Sequence, residues 1–440
     1  MGLTDAAGPA ESGKLDPGRE PRNLTVDFAR AAAIFIVVFF HTLVLQVRLV
    51  DGRPTLLPWS PGPIWWAASW LFLCIPMFFI AGGYSHAVIV DAMHRRGTGY
   101  GHFLASRGHR LIGPLTFFVT VSALVSTGFA WTGHLSAAVD ISRQVMQLLW
   151  FISVYLLIVF AAPALVWLHD RYGVLVMLAL GFLAAVVDQW SFAVHDYQLR
   201  DLNLLLVWPL AHQLGVAYHR GWFRRGPVWV PAVAAAVGVL AIVGLVFLGG
   251  YPASAVGFGD LPIANVQPPT VAMVALAAIQ ASGLAFAERF APPISEKLAR
   301  PISIANALMM TTYLWHIPCI ALGAGTLVLL ATIAPGLTWF WLHPLVVSSL
   351  SILIATQVVP LIGRVEMSLI PPLGPRQNLP AAATAFFILI AGTATVWRTG
   401  TVIHPASPWS TVGVLATWAG AGLLAWAANR PPAGAASAAS

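Results

Sequence analysis

The polar and apolar positions of this chain do not alternate over short periods; the apolar ones run together. Stretches of roughly 17 to 25 residues with almost no charge are long enough to cross the hydrocarbon core of a bilayer as helices. They recur near 28–48, 64–90, 111–130, 146–168, 173–190, 202–218, 228–248, 270–287, 307–333, 338–362, 381–397 and 411–428. The pattern predicts about twelve transmembrane helices. The fold class is an all-α, polytopic membrane helical bundle, about ten helices followed by two more at the C-terminus. Residues 1–22 are polar, with Gly and Pro among them, and read as a disordered cytoplasmic tail. A transmembrane domain is expected over 23–365, additional C-terminal helices over 366–430, and a low-complexity disordered tail over 431–440.

Composition agrees with the pattern. Of 440 residues, 58% are hydrophobic and 9% charged, against about 25% charged in a soluble domain. So few charges cannot cover a water-facing surface, so the solvent is mostly lipid. The net charge of +7 invites a nucleic-acid reading, but the basic side chains sit in short loops between apolar runs. With the N-terminus placed inside, only Arg48, Arg53, Arg143, Arg200 and Arg398 of the 23 Lys and Arg fall outside. That is the asymmetry of a multi-pass protein of the plasma (inner) membrane with both termini cytoplasmic, and no nucleic-acid partner is expected. Asp5, Glu11, Asp16 and Glu20 precede the first apolar run, which is not the basic leader of a cleavable signal peptide. Cys74 and Cys319 lie inside apolar runs, without metal-ligand spacing, and read as small buried hydrophobes.

Ionisable groups at membrane depth are costly and demand a reason. In the first run Arg30 and His41 are eleven residues apart, which returns a helix almost to the same face and raises it by roughly 16 Å. Arg30 then sits at the cytoplasmic rim and His41 lies above it on one stripe, beyond mid-membrane. An imidazole there can act as general base toward a hydroxyl, and the guanidinium can hold an anion. The same residues also fit a core histidine bonded to a neighbouring helix and a snorkelling topology charge. Arg107 and Arg110 run directly into the third helix and share a face if that helix begins there, whereas loop topology suffices for Arg95 and Arg96. His316 lies within Tyr313-Leu314-Trp315-His316-Ile317-Pro318, where a buried helix-bonding role is equally open. His86 and Asp91 are about 140° apart on a helix and are not expected to face one another. His169-Asp170 and His195-Asp196 read as solvated loop residues. Asp188 and His212 are candidates to line a cavity, or else belong at an interface and against a neighbouring helix.

Five of these segments, in order, resemble the acyltransferase 3 family of integral-membrane O-acyltransferases. They are Asp27-Phe28-Ala29-Arg30 with His41; Pro76 to Tyr84, with Gly82 and Gly83 before the tyrosine; Arg107-Gly108-His109-Arg110 leading to Pro114; Trp150-Phe151-Ile152; and Tyr313 to Pro318. The likeness spans residue 23 to about 360. It departs after Trp150, where many members carry a Glu and this chain has Ser153, Val154 and Tyr155, and beyond 380, where two helices are added.

The resemblance implies a membrane enzyme that moves an acyl group, by default acetyl, from cytoplasmic acyl-CoA to a hydroxyl of a glycan, glycolipid or glycosylated metabolite. Arg30, Arg107 and Arg110 would hold the co-substrate's phosphates. His41 and His316 would be catalytic, with His41 as base or transient acyl carrier. Gly83, Tyr84, Trp150 and Tyr313 would contact substrate. No permanently bound cofactor and no metal are implied. Membrane lipid, acyl-CoA and the hydroxyl acceptor are the partners, and the oligomeric state is open. The rival reading is a multi-pass transporter or flippase using intramembrane His and Asp as a proton relay; the absence of an internal repeat speaks against it.

Overall fold

The computed structural model describes residues 23–370, 373–374 and 377–429. The tails expected at 1–22 and 431–440 lie outside the described residues. The chain runs through α1 (Leu24–Val44), β1 (Leu45–Val50), β2 (Arg53–Pro58), α2 (Pro63–Phe72), α3 (Ile75–Arg96), α4 (Tyr100–Trp131), α5 (Leu135–Met146), α6 (Leu149–Tyr172) and α7 (Val174–Val194). A 3-10 segment over Tyr197–Leu205 leads to α8 (Val207–His219), α9 (Trp229–Phe247), α10 (Ala272–Phe290), α11 (Glu296–Ala307), α12 (Met309–Ile333), α13 (Thr338–Trp341), α14 (Pro344–Ser368), α15 (Leu379–Thr399) and α16 (Pro408–Ala428). Among the described residues, eleven helical segments are long and apolar enough to cross a membrane, with α2 and α3 together forming one of them. Phe35, Leu240 and Leu329 stand exposed on these helices, as lipid-facing side chains do. The protein is a polytopic helical membrane bundle.

Four expectations from the pattern are corrected. The first helix ends at Val44, and the next residues form an antiparallel hairpin in which Leu45 pairs with Pro58 and Val50 with Arg53. Its turn is Asp51-Gly52, both at positive φ (52° and 73°), the geometry a tight two-residue hairpin demands. The second run is not one helix; it breaks at Leu73 and Cys74, and Pro76 stands in the first turn of α3, where its missing N–H costs nothing. The run at 202–218 is not a span. Its helical part, α8, has 13 residues, about 20 Å at 1.5 Å each, and every residue from Val207 to Tyr218 is buried. Finally, His169 and Asp170 belong to α6 rather than a loop, and His169 is buried with Nδ1 2.9 Å from Gln213 Oε1. The amphipathic helices α5 and α11 are additions to the expected set.

Small residues set the closest crossings. A Cβ on Gly83 would come within 2.0 Å of the His212 carbonyl oxygen, and one on Gly215 within 1.9 Å of the Ile80 carbonyl. The α3 and α8 backbones therefore touch, and only glycine fits on either side. The pair α15–α16 meets in the same way, with Gly392 against Thr417 and Gly420 against Leu389. This pair braces the whole of α4. Phe386 and Leu424 fill the space beside Gly108, Trp418 Nε1 donates to Thr120 Oγ1 at 2.9 Å, and Ser126 bonds Thr401 at 3.1 Å. The face where α1, α4 and α15 begin is called the near face below, and the opposite one the far face.

Candidate active site

At 32 residues, α4 is about 48 Å long, well beyond the ~30 Å a span requires. Its first turns therefore sit at the near face, and Arg107 and Arg110 sit on them. Together with Arg30 from α1 they line a cavity of about 330 Å³. Asn306 Nδ2 donates to the Asp27 carbonyl at 2.8 Å, fixing α11 against the start of α1. Arg30 Nη2 donates to Met309 Sδ at 3.6 Å, and Arg107 Nε is buried with no hydrogen-bond partner. None of the three guanidinium groups pairs with a carboxylate among the described residues. Three cations facing one hollow, without counter-charge among the described residues, can hold a multiply charged anion, since Arg forks match phosphate oxygens.

A second cavity, about 250 Å³, lies further from the near face and is lined by His41, Trp150, Cys74 and Gln267 among others. His41 Nδ1 lies 2.7 Å from the Val37 carbonyl oxygen. A carbonyl only accepts, so Nδ1 carries the proton and Nε2 is left as the basic atom. His316 of α12 repeats the arrangement, with Nδ1 2.8 Å from the Tyr313 carbonyl and Nε2 buried without a partner. The two imidazoles are in contact, with centroids 4.9 Å apart and planes at 70°. Helices far apart in sequence thus bring together both histidines singled out above. Thr42 Oγ1 donates to Ser348 Oγ at 2.7 Å one residue after His41, holding α1 to α14.

Tyr313 joins the two cavities, because it lines both. Its hydroxyl donates to the Leu148 carbonyl at 2.9 Å and its ring lies 5.0 Å from that of Phe151. The arginine cavity and the histidine cavity are separated by this one side chain and its aromatic neighbours. Trp150 borders the histidine cavity, next to Trp208 at 5.7 Å. Gly83 and Tyr84 sit elsewhere: Gly83 at the α3–α8 crossing and Tyr84 beside Tyr218 and His219, with ring centroids 6.1 and 5.4 Å away. Gly83 serves helix packing there.

Several residues of the site escaped the sequence reading. His86, set aside as half of a false pair, lines the arginine cavity, and its Nδ1 lies 3.0 Å from His212 Nε2. Asp91 points away from it, accepting from Arg220 Nη1 at 2.6 Å and bonded to His219 at 2.9 Å. Arg220 also donates to Asp170, and these two carboxylates hold its guanidinium above its ordinary pKa. Tyr155 lines the arginine cavity five residues after Trp150, in the stretch where the resembled pattern has Glu. Glu366 of α14 is buried and accepts from Trp315 Nε1 at 3.0 Å and from Thr311 Oγ1, gripping α12 beside His316. Asp188 lies away from the histidine cavity. It takes hydrogen bonds from Asn203 Nδ2 (2.8 Å), Tyr251 (3.0 Å) and the Val271 N–H (2.7 Å), pinning the long loop before α10.

Residues 23–359 match the acyltransferase 3 family, described as an acyltransferase domain. The chain belongs to that family. It is therefore an acyltransferase, and a multi-pass membrane one, with an acyl donor and an acceptor as its partners. Comparison with curated proteins and with solved structures gives no match. The family region of this acyltransferase holds all three arginines, both histidines and Tyr313. Glu366, α15 and α16 lie beyond it. Among the described residues the enzyme has no group of three or more His, Cys, Asp and Glu arranged to hold a metal ion.

Proposed function

We propose that this acyltransferase is an O-acyltransferase. In this reading it takes an acyl group, in the simplest case acetyl, from acyl-CoA at the near face, the cytoplasmic one. It delivers the group to a hydroxyl of a glycan, glycolipid or glycosylated metabolite. The observation that carries the reading is the shared wall: a hollow rimmed by three guanidinium groups that pair with no carboxylate among the described residues, and a hollow lined by His41, whose ring contacts His316, meet at Tyr313. A CoA thioester has the matching shape, with phosphates at one end, a slender arm, and the reactive carbonyl at the tip.

Arg30, Arg107 and Arg110 bind the phosphates. The arm passes Phe151 and Tyr313, and the thioester carbonyl comes to rest beside His41. His41 Nε2 takes the proton of the acceptor hydroxyl as its oxygen bonds to the carbonyl carbon. The carbon–sulfur bond then breaks, and the thiolate takes that proton back from His41, leaving an ester and free CoA thiol. The Nδ1–H bond to Val37 fixes the ring and supports the imidazolium between the two steps. His316, whose ring packs against that of His41, orients the base. Low dielectric strengthens each of these bonds.

The test is transfer of label from [14C]acetyl-CoA to an extracted acceptor fraction, using the purified protein in lipid vesicles. Wild type forms labelled ester and His41→Ala, inserted to the same level, forms none above background. Undiminished ester formation by His41→Ala refutes the base assignment.

A further inference from the structure

A third cavity of about 510 Å³ opens on the far face, within the roughly 300–1,000 Å³ of small-molecule sites. Its floor is shared with the histidine cavity: Gln147 and Gln267 line both. One wall is α5, whose Ala138, Ser142 and Met146 are buried on one side. Asp140, Arg143, Gln144 and Gln147 recur at helical spacing on the other side and line the cavity. The opposite wall is the end of α15, which supplies Trp397 and Arg398. That wall is held in place. Arg398 is ion-paired with Asp201, and its guanidinium lies 4.0 Å over the Trp397 ring. Ser142 Oγ accepts from the Thr401 N–H at 3.3 Å, locking α5 to the turn after α15.

We infer that this vestibule is the acceptor-binding site, and that it is built for a sugar. The inference rests on the O-acyltransferase reading above. Three side-chain amides offer both donors and acceptors, a carboxylate accepts, the guanidinium groups of Arg143 and Arg398 donate, and an indole presents an apolar body with one N–H. That inventory suits a ring with several adjacent hydroxyls; a fatty alcohol would leave most of it unpaired. The position suits it too, because a sugar held here has one hydroxyl directed past Gln147 and Gln267 toward His41. The site depends on α15, which lies beyond the family region. The added helices thus shape acceptor choice as well as bracing α4.

The test compares acetyl transfer from [14C]acetyl-CoA to a panel of methyl glycosides (glucoside, galactoside, mannoside and N-acetylglucosaminide) with transfer to butan-1-ol, using the full chain in nanodiscs. At least one glycoside is expected to be used at tenfold or higher kcat/KM than the alcohol. Gln144→Ala and Trp397→Ala each lower that ratio about three- to tenfold, the size of one lost hydrogen bond, through the glycoside KM. Trp397→Phe, which keeps a ring, recovers part of it. Glycosides used no better than butan-1-ol, or a ratio that survives both substitutions, overturns the assignment. Elution of each variant as a monodisperse species separates binding from folding. Absence of His41-dependent transfer to either class overturns the transferase reading itself, and the vestibule assignment with it.

Discussion

Arg107 is where structural cost and chemical use meet most visibly. Its Nε is buried and unpartnered, and Arg30 and Arg110 share its cavity. An unmet buried donor costs about 1–3 kcal/mol, and like charges add to that; an anionic ligand removes both penalties. If the donor's phosphates fill this hollow, Arg107→Ala raises the KM for acyl-CoA by one to two decades, roughly the worth of a charge-assisted hydrogen bond. Arg107→Lys, which keeps the charge and loses the fork, falls between. Steady-state kinetics at fixed ionic strength measures this, and a KM unmoved by Arg107→Ala removes the phosphates from the cavity. The Arg30–His41 stripe and the Arg107–Arg110 face were legible in the sequence because they depend only on the helical repeat. The contact of His41 with His316 was not, since it depends on which helices the bundle sets side by side. His86 was passed over for a related reason: its spacing to Asp91 was informative, whereas its partner His212 lies 126 residues away.

Helices carry two further arguments, and they separate packing from chemistry. A Cβ on Gly83 collides with the His212 carbonyl at 2.0 Å, and α8 cannot retreat, being buried on all sides. Gly83→Val is therefore expected to lose folded yield and thermal stability in detergent, by the 1–3 kcal/mol or more of overpacking. A well-folded Gly83→Val with only a raised acceptor KM would instead return Gly83 to a substrate contact. Glu366 positions α12 by accepting from Thr311 and Trp315, so it acts on His316 without touching substrate. Glu366→Leu lowers kcat by up to about a hundredfold, the cost of an ångström of misplacement, while the KM for acyl-CoA stays within about twofold. Glu366→Gln, which still accepts from Trp315, restores most of the rate. A Glu366→Leu enzyme that shifts KM and spares kcat contradicts the positioning role. Hydrophobic periodicity announced most helices here. It missed α8 as a buried half-helix, because an apolar run looks the same inside protein as inside lipid. It also merged the start of the hairpin into α1, although Asp51-Gly52 after the alternating Leu45 to Val50 carried the turn chemistry in plain view.

At the scale of the whole molecule, composition and run length sufficed for the bundle, and no local pattern could tell where its cavities lie. The three cavities follow one another through shared lining residues: arginines near the start of α1 and α4, His41 deeper, and the polar vestibule at the end of α15. Tyr313 and the Gln147–Gln267 pair are the two junctions. Such a series lets a charged donor and a hydroxyl acceptor meet without either crossing the bilayer, whose apolar core makes passage of a phosphate or a sugar costly. The arrangement predicts sidedness. In sealed vesicles sorted by orientation, ester forms when [14C]acetyl-CoA is confined to the side from which an impermeant maleimide labels Arg110→Cys, with the glycoside confined to the side that labels Gln144→Cys. Exchanging the two compartments stops the reaction, and adding detergent restores it. Each cysteine variant is labelled from one side only, since the native Cys74 and Cys319 are buried. Transfer that instead requires donor and acceptor on the same side would mean that both substrates pass one mouth, and Tyr313 would then be a wall between unrelated hollows.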